Sequence, residues 1–160
     1  MISEYFFKSN AVKVAIYSNL HPSLLKVLDY PLQTIIYDLC YFIPRSIWDS
    51  KPYPYPDYYS SAVMGLSELT YFGWRFQTNI YAEFISNFNI LGIFFAPLFI
   101  LWMCKKMDQS KGILFKLLGL VLAISLQVFE YTDSNKVLML VWTIILLKNE
   151  VFRKKVSFKK

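Results

Sequence analysis

FISNFNILGIFFAPLFILWM, residues 84–103, contains 20 consecutive residues without a charged side chain. A helix rises about 1.5 Å per residue, so a helix over this run is about 30 Å long, the thickness of the hydrocarbon core of a bilayer. The run therefore predicts a membrane-spanning helix over residues 84–104.

Two more apolar runs follow along the chain. GILFKLLGLVLAISLQVF predicts a second span over residues 112–129, in which Lys116 lies one turn from the end and extends its ammonium to the headgroups. NKVLMLVWTIILLKN predicts a third span over residues 135–149. Its apolar part is only the eleven residues between Lys136 and Lys148. The third span therefore requires these two lysines to reach opposite interfaces.

The composition is typical of the same class of protein. Hydrophobic residues make up 56% of the chain and aromatic residues 19%, and the mean hydropathy is positive. These values exceed those of ordinary soluble domains. The expected fold is an all-α integral membrane protein with about three transmembrane helices in residues 84–149. A periplasmic segment, residues 1–83, precedes them, and a basic cytoplasmic tail, residues 150–160, follows.

The positions of the cations predict the orientation in the membrane. The connection CKKMDQSK, residues 104–111, which follows the first span, carries three lysines against one aspartate, Asp108. Six of the seven charged residues after Leu147 are basic. Short basic segments stay in the cytoplasm, so we expect a multi-pass membrane protein with both basic segments on the cytoplasmic side. A nucleic-acid surface is the other explanation of the net charge of +6, but no basic stripe interleaved with aromatic residues supports such a partner.

Three spans determine the side of the membrane on which the other segments lie. With Lys105, Lys106, Lys111 and the tail on the cytoplasmic side, the turn between the second and third spans lies on the outer side. Residues 1–83 lie on that outer, periplasmic side as well.

The first 83 residues are predicted to lie along the outer surface of the membrane. Residues 1–20 do not resemble a signal peptide, because lysines interrupt the apolar stretch and no small-residue cleavage site follows. The spacing of apolar residues after Ser23 predicts an amphipathic interfacial helix that is kinked at Pro31 and ends at Ile43. The tyrosine- and proline-rich residues 53–59 predict an extended loop at the level of the headgroups.

Histidine, cysteine and metal chemistry have little support in the sequence. The chain has one histidine and two cysteines, so we expect no metal site and no cofactor. Cys40 and Cys104 belong to distant segments and are not expected to form a disulfide. His21 has two interpretations: a capping or interface residue, or a catalytic group for which no partner is visible.

Arginine is rare in this chain, which has 14 lysines and 3 arginines, yet two of the three arginines lie in the outer segment. Arg45 follows Pro44 and precedes Trp48 by three residues. The planar guanidinium of an arginine can hold two oxygens of a phosphate or carboxylate. Trp48 is expected to stack on the Arg45 guanidinium, and Lys51 is a second cation in the same segment. The alternative is an ion pair of Arg45 with Asp49 and a tryptophan anchored in the interface.

A polar stripe lies at the start of the first span. If the helix begins near Phe76, three polar residues recur at steps of four: Asn79, Glu83 and Asn87. Arg75 lies one turn before them. The functional interpretation of Glu83 is a base or a hydrogen-bond acceptor for a sugar hydroxyl, and the alternative is a solvated carboxylate near the positive end of the helix. Glu68 is a weaker candidate for the same role.

Two segments carry a resemblance to a known family. FIPRSIWDSKPYP, residues 42–54, resembles the Ile-Pro-Arg, Trp, Lys-Pro signature near the C-terminal end of Wzy-type O-antigen polymerases, also called oligosaccharide repeat unit polymerases. YAEFISNFNILGIFFAPLF, residues 81–99, is similar to the element that follows in the family, which opens a transmembrane helix. The order of the two segments and their separation of about forty residues also resemble the family.

The resemblance implies a function and a set of site residues. Such polymerases are multi-pass glycosyltransferases of the bacterial inner membrane. They lengthen a polysaccharide of the O-antigen or capsule type on undecaprenyl pyrophosphate at the periplasmic face, without a nucleotide sugar or a required metal. It implies that Arg45 meets the pyrophosphate or an acidic sugar and that Lys51 supports it. The further substrate-binding candidates are Trp48, Arg75, Asn79 and Asn87, and Glu83 is the catalytic candidate beside Arg45.

The family also sets expectations about partners. Its members carry ten or more spans, so the chain is expected to correspond to a C-terminal portion. We expect the isolated chain to be inactive, because three spans leave the polar stripe facing lipid. The expected partners are an undecaprenyl-pyrophosphate-linked oligosaccharide, membrane lipid, other polysaccharide assembly proteins and an upstream fragment. The alternative function is a small non-enzymatic membrane protein that binds a partner or lipid headgroups.

Overall fold

The computed structural model describes residues 2–66, 74–110, 112–128 and 133–157, and every regular element in these ranges is helical. A one-turn 3-10 helix, Asn89–Leu91, separates the fourth and fifth α-helices. The α-helices are α1 (Ile2–Leu20), α2 (Gln33–Leu39), α3 (Tyr55–Val63), α4 (Ile80–Phe88), α5 (Gly92–Asp108), α6 (Ile113–Val128) and α7 (Asp133–Ser157). The predicted all-α fold class is confirmed for the described ranges.

The chain forms two compact units, Met1–Ala96 and Pro97–Lys160. The first unit holds α1 to α4 and the first residues of α5. The second unit holds the remainder of α5 with α6 and α7. The predicted division at residue 83 concerns the position of the membrane and stays a prediction.

The first unit is built around the packing of α1 on α4. Ala11 and Ala15 of α1 are completely buried, because small side chains let two helices approach closely. The Asn19 side chain donates a 2.8 Å hydrogen bond from Nδ2 to the carbonyl oxygen of Ile85 in α4. Helix α1 is not among the elements predicted from the sequence.

The predicted interfacial helix from Ser23 to Ile43 is wrong in its extent. Only α2, seven residues long, is helical in this segment. Leu32, which precedes α2, has a φ of 65°, a left-handed backbone conformation that interrupts a right-handed helix. The preceding residues form turns, and the Gln33 side chain closes one of them by accepting a 2.8 Å bond from the Asp29 N–H.

The predicted extended loop over residues 53–59 is also wrong, because its larger part belongs to α3. Pro54 has extended angles and precedes the helix, and Pro56 lies in its first turn. A proline at that position loses nothing, because the first N–H groups of a helix have no intrahelical partner. Asp57 lies in the same turn, where a carboxylate interacts favourably with the helix dipole.

Helices occupy all three positions where membrane spans were predicted. One helical run of 29 residues in the described ranges, Ile80–Asp108, is long and apolar enough to cross a membrane. The apolar helix α6 has 16 residues, which is short of the roughly 20 that a span requires. A membrane-crossing helix is therefore supported by length and composition, while the number of three spans stays a prediction.

The run Ile80–Asp108 is not one continuous α-helix, in contrast to the helix predicted over residues 84–104. Asn89 has a φ of 56°, which ends α4, and the 3-10 turn follows. Gly92 then begins α5 against the backbone of α4. A Cβ atom on Gly92 would collide with the carbonyl group of Phe84 and with the Ile85 nitrogen, so this close approach requires glycine.

The second unit packs α6 and α7 around Trp142. The Trp142 ring is buried and stacks on Phe115, with 4.9 Å between the ring centres. Gly119 faces Trp142 and Met107, where a larger side chain would meet both. Aliphatic side chains on the other faces of α6 are exposed, and they include Ile113, Leu117, Val121 and Ile124.

Candidate functional site

The polar stripe of α4 is buried inside the first unit. Glu83 is 4% exposed and Asn87 1% exposed. The expectation that this stripe faces lipid is therefore wrong. The helix also begins at Ile80 and not near Phe76, because Asn79 ends the preceding extended segment and caps the helix: its Oδ1 accepts a 2.9 Å bond from the Ala82 N–H.

Thr34 of α2 holds the two buried polar residues of α4. Its hydroxyl donates a 2.7 Å bond to Glu83 Oε1, and Asn87 Nδ2 donates a 2.7 Å bond to Thr34 Oγ1. The Thr34 N–H donates to Asn87 Oδ1 at 3.3 Å, so threonine and asparagine are bonded in both directions. We call these three residues the Thr34 cluster. Thr34 itself is 0% exposed.

The sequence analysis did not identify Thr34. Its partners are 49 and 53 residues away along the chain, so no local pattern connects them. The only signal is that Gln33 and Thr34 place two polar residues within an otherwise apolar run. In a helix predicted to lie on the membrane surface, such a pair is explained by hydrogen bonds to water.

Tyr55 lies close to this cluster, at the start of α3. Its hydroxyl is 2.9 Å from Ser86 Oγ of α4. Burial raises the pKa of Tyr55 well above its usual value, the hydrogen bond to Ser86 opposes this increase, and the charge of Glu83 adds to it. The Tyr55 phenol is therefore neutral and serves as a hydrogen-bonding group of the core.

Arg45 uses its guanidinium to close its own loop. The two terminal nitrogens donate to the carbonyl oxygens of Lys51 and Pro52 at 2.7 and 2.8 Å. Tyr53 covers one face, with Arg45 Cζ 3.7 Å from the ring centre. The predicted stacking on Trp48 is wrong, since the Trp48 indole N–H donates instead to Ser50 Oγ at 2.9 Å. These contacts occupy two of the five N–H donors of an arginine.

Lys51 is buried and supports the same loop from inside. Its ammonium donates to the carbonyl oxygens of Tyr41 and Ile43 at 2.8 and 2.9 Å. The ring of Tyr37 lies 4.9 Å from the nitrogen, close enough for a cation–π interaction. In this structure, the Lys51 side chain therefore binds its own loop, and its predicted role as a second cation for a substrate stays a prediction.

Arg75 forms an ion pair with Asp57 of α3. The Arg75 Nε and Asp57 Oδ1 atoms are 2.5 Å apart, and the Asp57 side chain is buried. The pair fastens α3 to the segment that leads into α4. The substrate-binding role of Arg75 stays a prediction, and Glu68, the weaker acidic candidate, lies outside the described residues.

A series of hydrogen bonds connects the Arg45 loop with the Thr34 cluster. The Tyr53 N–H donates to the Tyr58 hydroxyl at 3.1 Å, and Gln33 Nε2 donates to the same hydroxyl at 2.9 Å. Gln33 precedes Thr34 in the chain. The two motif segments thus belong to one hydrogen-bonded structure in the first unit, although the connection is indirect.

The remaining residues considered from the sequence are one histidine and two cysteines. His21 is exposed and lies against Tyr17, with 4.8 Å between the ring centres. Cys40 and Cys104 are both free thiols. In the part of the chain that the structure describes, no group of three histidine, cysteine or acidic side chains is arranged to hold a metal ion.

No protein-family model matches the chain, and no curated protein or solved structure is significantly similar to it.

Proposed function

We propose that this chain is part of a membrane-embedded polymerase that lengthens a glycan on a polyprenyl pyrophosphate carrier. The resemblance of residues 42–54 and 81–99 to the oligosaccharide repeat unit polymerases is the reason for this choice of activity. The observation that carries the proposal is the hydrogen-bonded connection between the two segments through Tyr53, Tyr58 and Gln33. Segments of one active site have to be held in a fixed relation, and this connection supports such a relation.

In this proposal Arg45 meets the pyrophosphate. Its bonds to two carbonyls hold the guanidinium in one orientation, and three further N–H donors remain for phosphate oxygens. A hydroxyl of the acceptor sugar attacks the anomeric carbon of the donor. The bond from that carbon to the pyrophosphate breaks, and the pyrophosphate leaves with the electron pair.

Glu83 is the proposed acceptor of the proton from the attacking hydroxyl. Thr34 covers its carboxyl group, so this role requires α2 to move away from α4. The short length of α2 is consistent with such a movement. Asn87 would then be released from Thr34 and become available to the acceptor sugar.

The proposal includes a topology of three spans with the basic segments in the cytoplasm. A reporter enzyme fused after Lys111 or at Lys160 is expected to behave as cytoplasmic, and one fused at Tyr55 as periplasmic. A periplasmic signal at Lys160 would remove the third span from the proposal.

Binding of the carrier tests the role of Arg45 directly. We expect the purified chain in detergent to bind undecaprenyl pyrophosphate, measured by native mass spectrometry, in preference to undecaprenol. Arg45→Lys keeps the charge but loses the planar fork, so we expect binding to weaken roughly tenfold, the effect of about one charge-assisted hydrogen bond. Arg153→Lys is the matched control, because it is the same exchange in the basic tail, outside both motif segments. Equal binding by the Arg45→Lys and wild-type chains would contradict the proposed role of Arg45.

A further inference from the structure

The loop around Arg45 exposes large apolar side chains. Leu39, Phe42 and Ile47 are 70%, 75% and 77% exposed, among the highest values for large hydrophobic residues in the described part of the chain. Each such side chain gains about 1.5–3 kcal/mol when it is removed from water completely. A cluster of this kind on a short segment indicates an interaction surface. We call these three residues the apolar tips.

The apolar tips are carried by a rigid loop. Turn hydrogen bonds run from the Ile43 N–H to the Cys40 carbonyl and from the Ile47 N–H to the Pro44 carbonyl. The guanidinium of Arg45 and the ammonium of Lys51 add bonds to four further carbonyls. The backbone therefore satisfies many of its own polar groups, and little conformational entropy is lost when the tips bind.

We propose that the apolar tips insert into the boundary between headgroups and acyl chains on the outer side of the bilayer. The same compact unit contains the start of the run that can span a membrane, with exposed apolar side chains at Ile93 and Phe94. This unit is therefore placed next to lipid by its own chain. The interaction does not depend on glycan polymerisation.

The polar residues of the loop match this location. Arg45 is half-buried and cationic, which suits anionic phosphate groups, and Trp48 and Tyr53 are of the types enriched at membrane interfaces. The carbonyl groups that accept hydrogen bonds from Arg45 and Lys51 also favour this location, because unsatisfied backbone polar groups are costly in lipid. The end of α2 and the loop that follows it, and not one continuous helix over residues 23–43, thus make the proposed contact with the interface.

Fluorescent labels on the full chain test the proposal. Single cysteines replace Ile47 or Asp49 in a Cys40→Ser and Cys104→Ser background and carry an environment-sensitive label. The chain is reconstituted in vesicles of phosphatidylethanolamine and phosphatidylglycerol. Asp49 is the control position, because it is exposed and polar and lies in the same loop. Circular dichroism verifies that the helices of both labelled chains are retained.

We expect spin-labelled lipids to quench the label at position 47 several-fold more strongly than the label at position 49, and iodide in the water to show the reverse order. In a third chain labelled at Leu39, Phe42→Ser together with Ile47→Ser should reduce quenching by lipid several-fold. Equal quenching by lipid at positions 47 and 49 would overturn the proposal. Energy transfer between labelled copies without quenching by lipid would also overturn it, because a second copy would then cover the apolar tips.

Discussion

Replacing Thr34 by valine should release α2 from α4. Valine has nearly the shape of threonine but lacks the hydroxyl that donates to Glu83 and accepts from Asn87. A hydrogen bond to a charged group contributes about 1.5–3 kcal/mol and a neutral one about 0.5–1.5 kcal/mol. The loss of both gives about 3 kcal/mol, which is a factor of about 150 in the equilibrium for opening α2.

Hydrogen exchange measures this opening directly. The Thr34 N–H itself donates to Asn87 Oδ1, so its exchange rate reports whether α2 is seated on α4. In detergent micelles we expect the α2 amides to exchange about 100-fold faster in Thr34→Val, while the α6 amides of the second unit keep their rates.

Thr34→Ser is the matched control because it keeps the hydroxyl and loses one methyl group. That methyl contributes about 0.8 kcal/mol, so the serine variant should exchange only a few-fold faster than the wild-type chain. Wild-type rates in Thr34→Val would refute the reasoning. So would equal effects of valine and serine, since packing rather than the hydroxyl would then hold α2.

Two glycine substitutions and one tyrosine substitution provide further predictions. Gly92→Ala should lower the free energy of unfolding by several kcal/mol in a denaturant titration, because its Cβ meets the α4 backbone, which cannot yield easily. Gly119→Ala should have a smaller effect, because its Cβ would meet only side chains, the flexible Met107 and the edge of Trp142, and no backbone; the reverse order would contradict this assignment. Tyr55→Phe should reduce the decline in stability above about pH 10, to which Tyr58 and Tyr59 also contribute because burial raises the pKa of their phenols. The folded state raises the pKa of the Tyr55 phenol, so its contribution is complete below the unfolded pKa and is lost as the pH rises. An unchanged decline in the phenylalanine variant would contradict it.

The helical class and the positions of the membrane-type helices were predictable from the sequence. Long runs without charge favour helices, and α5, α6 and α7 lie where these runs occur in the sequence. Helix α3 was missed because tyrosine and proline suggest an extended chain. Pro54 and Pro56 in fact lie just before and within the first turn, where a helix tolerates proline.

The candidate site was predictable only in part. The stripe of Glu83 and Asn87 was recognised from its spacing, but its partner Thr34 is distant in sequence. The bonds of Arg45 and Lys51 were not foreseen because their acceptors are backbone carbonyls, which every residue possesses. Residue types show what a cation can bind, but only the folded chain shows which oxygen lies nearest.

The interruption at Asn89 has a consequence for the thickness of membrane that this chain fits. Thr34 and Asn19 hold α4 in the first unit, so α5 is the part of the apolar run that can cross the hydrocarbon of a bilayer. Its 17 residues measure about 25 Å, several ångströms less than an average bilayer core of about 30 Å. Lipids around α5 should therefore be compressed, and the protein should prefer membranes with shorter acyl chains.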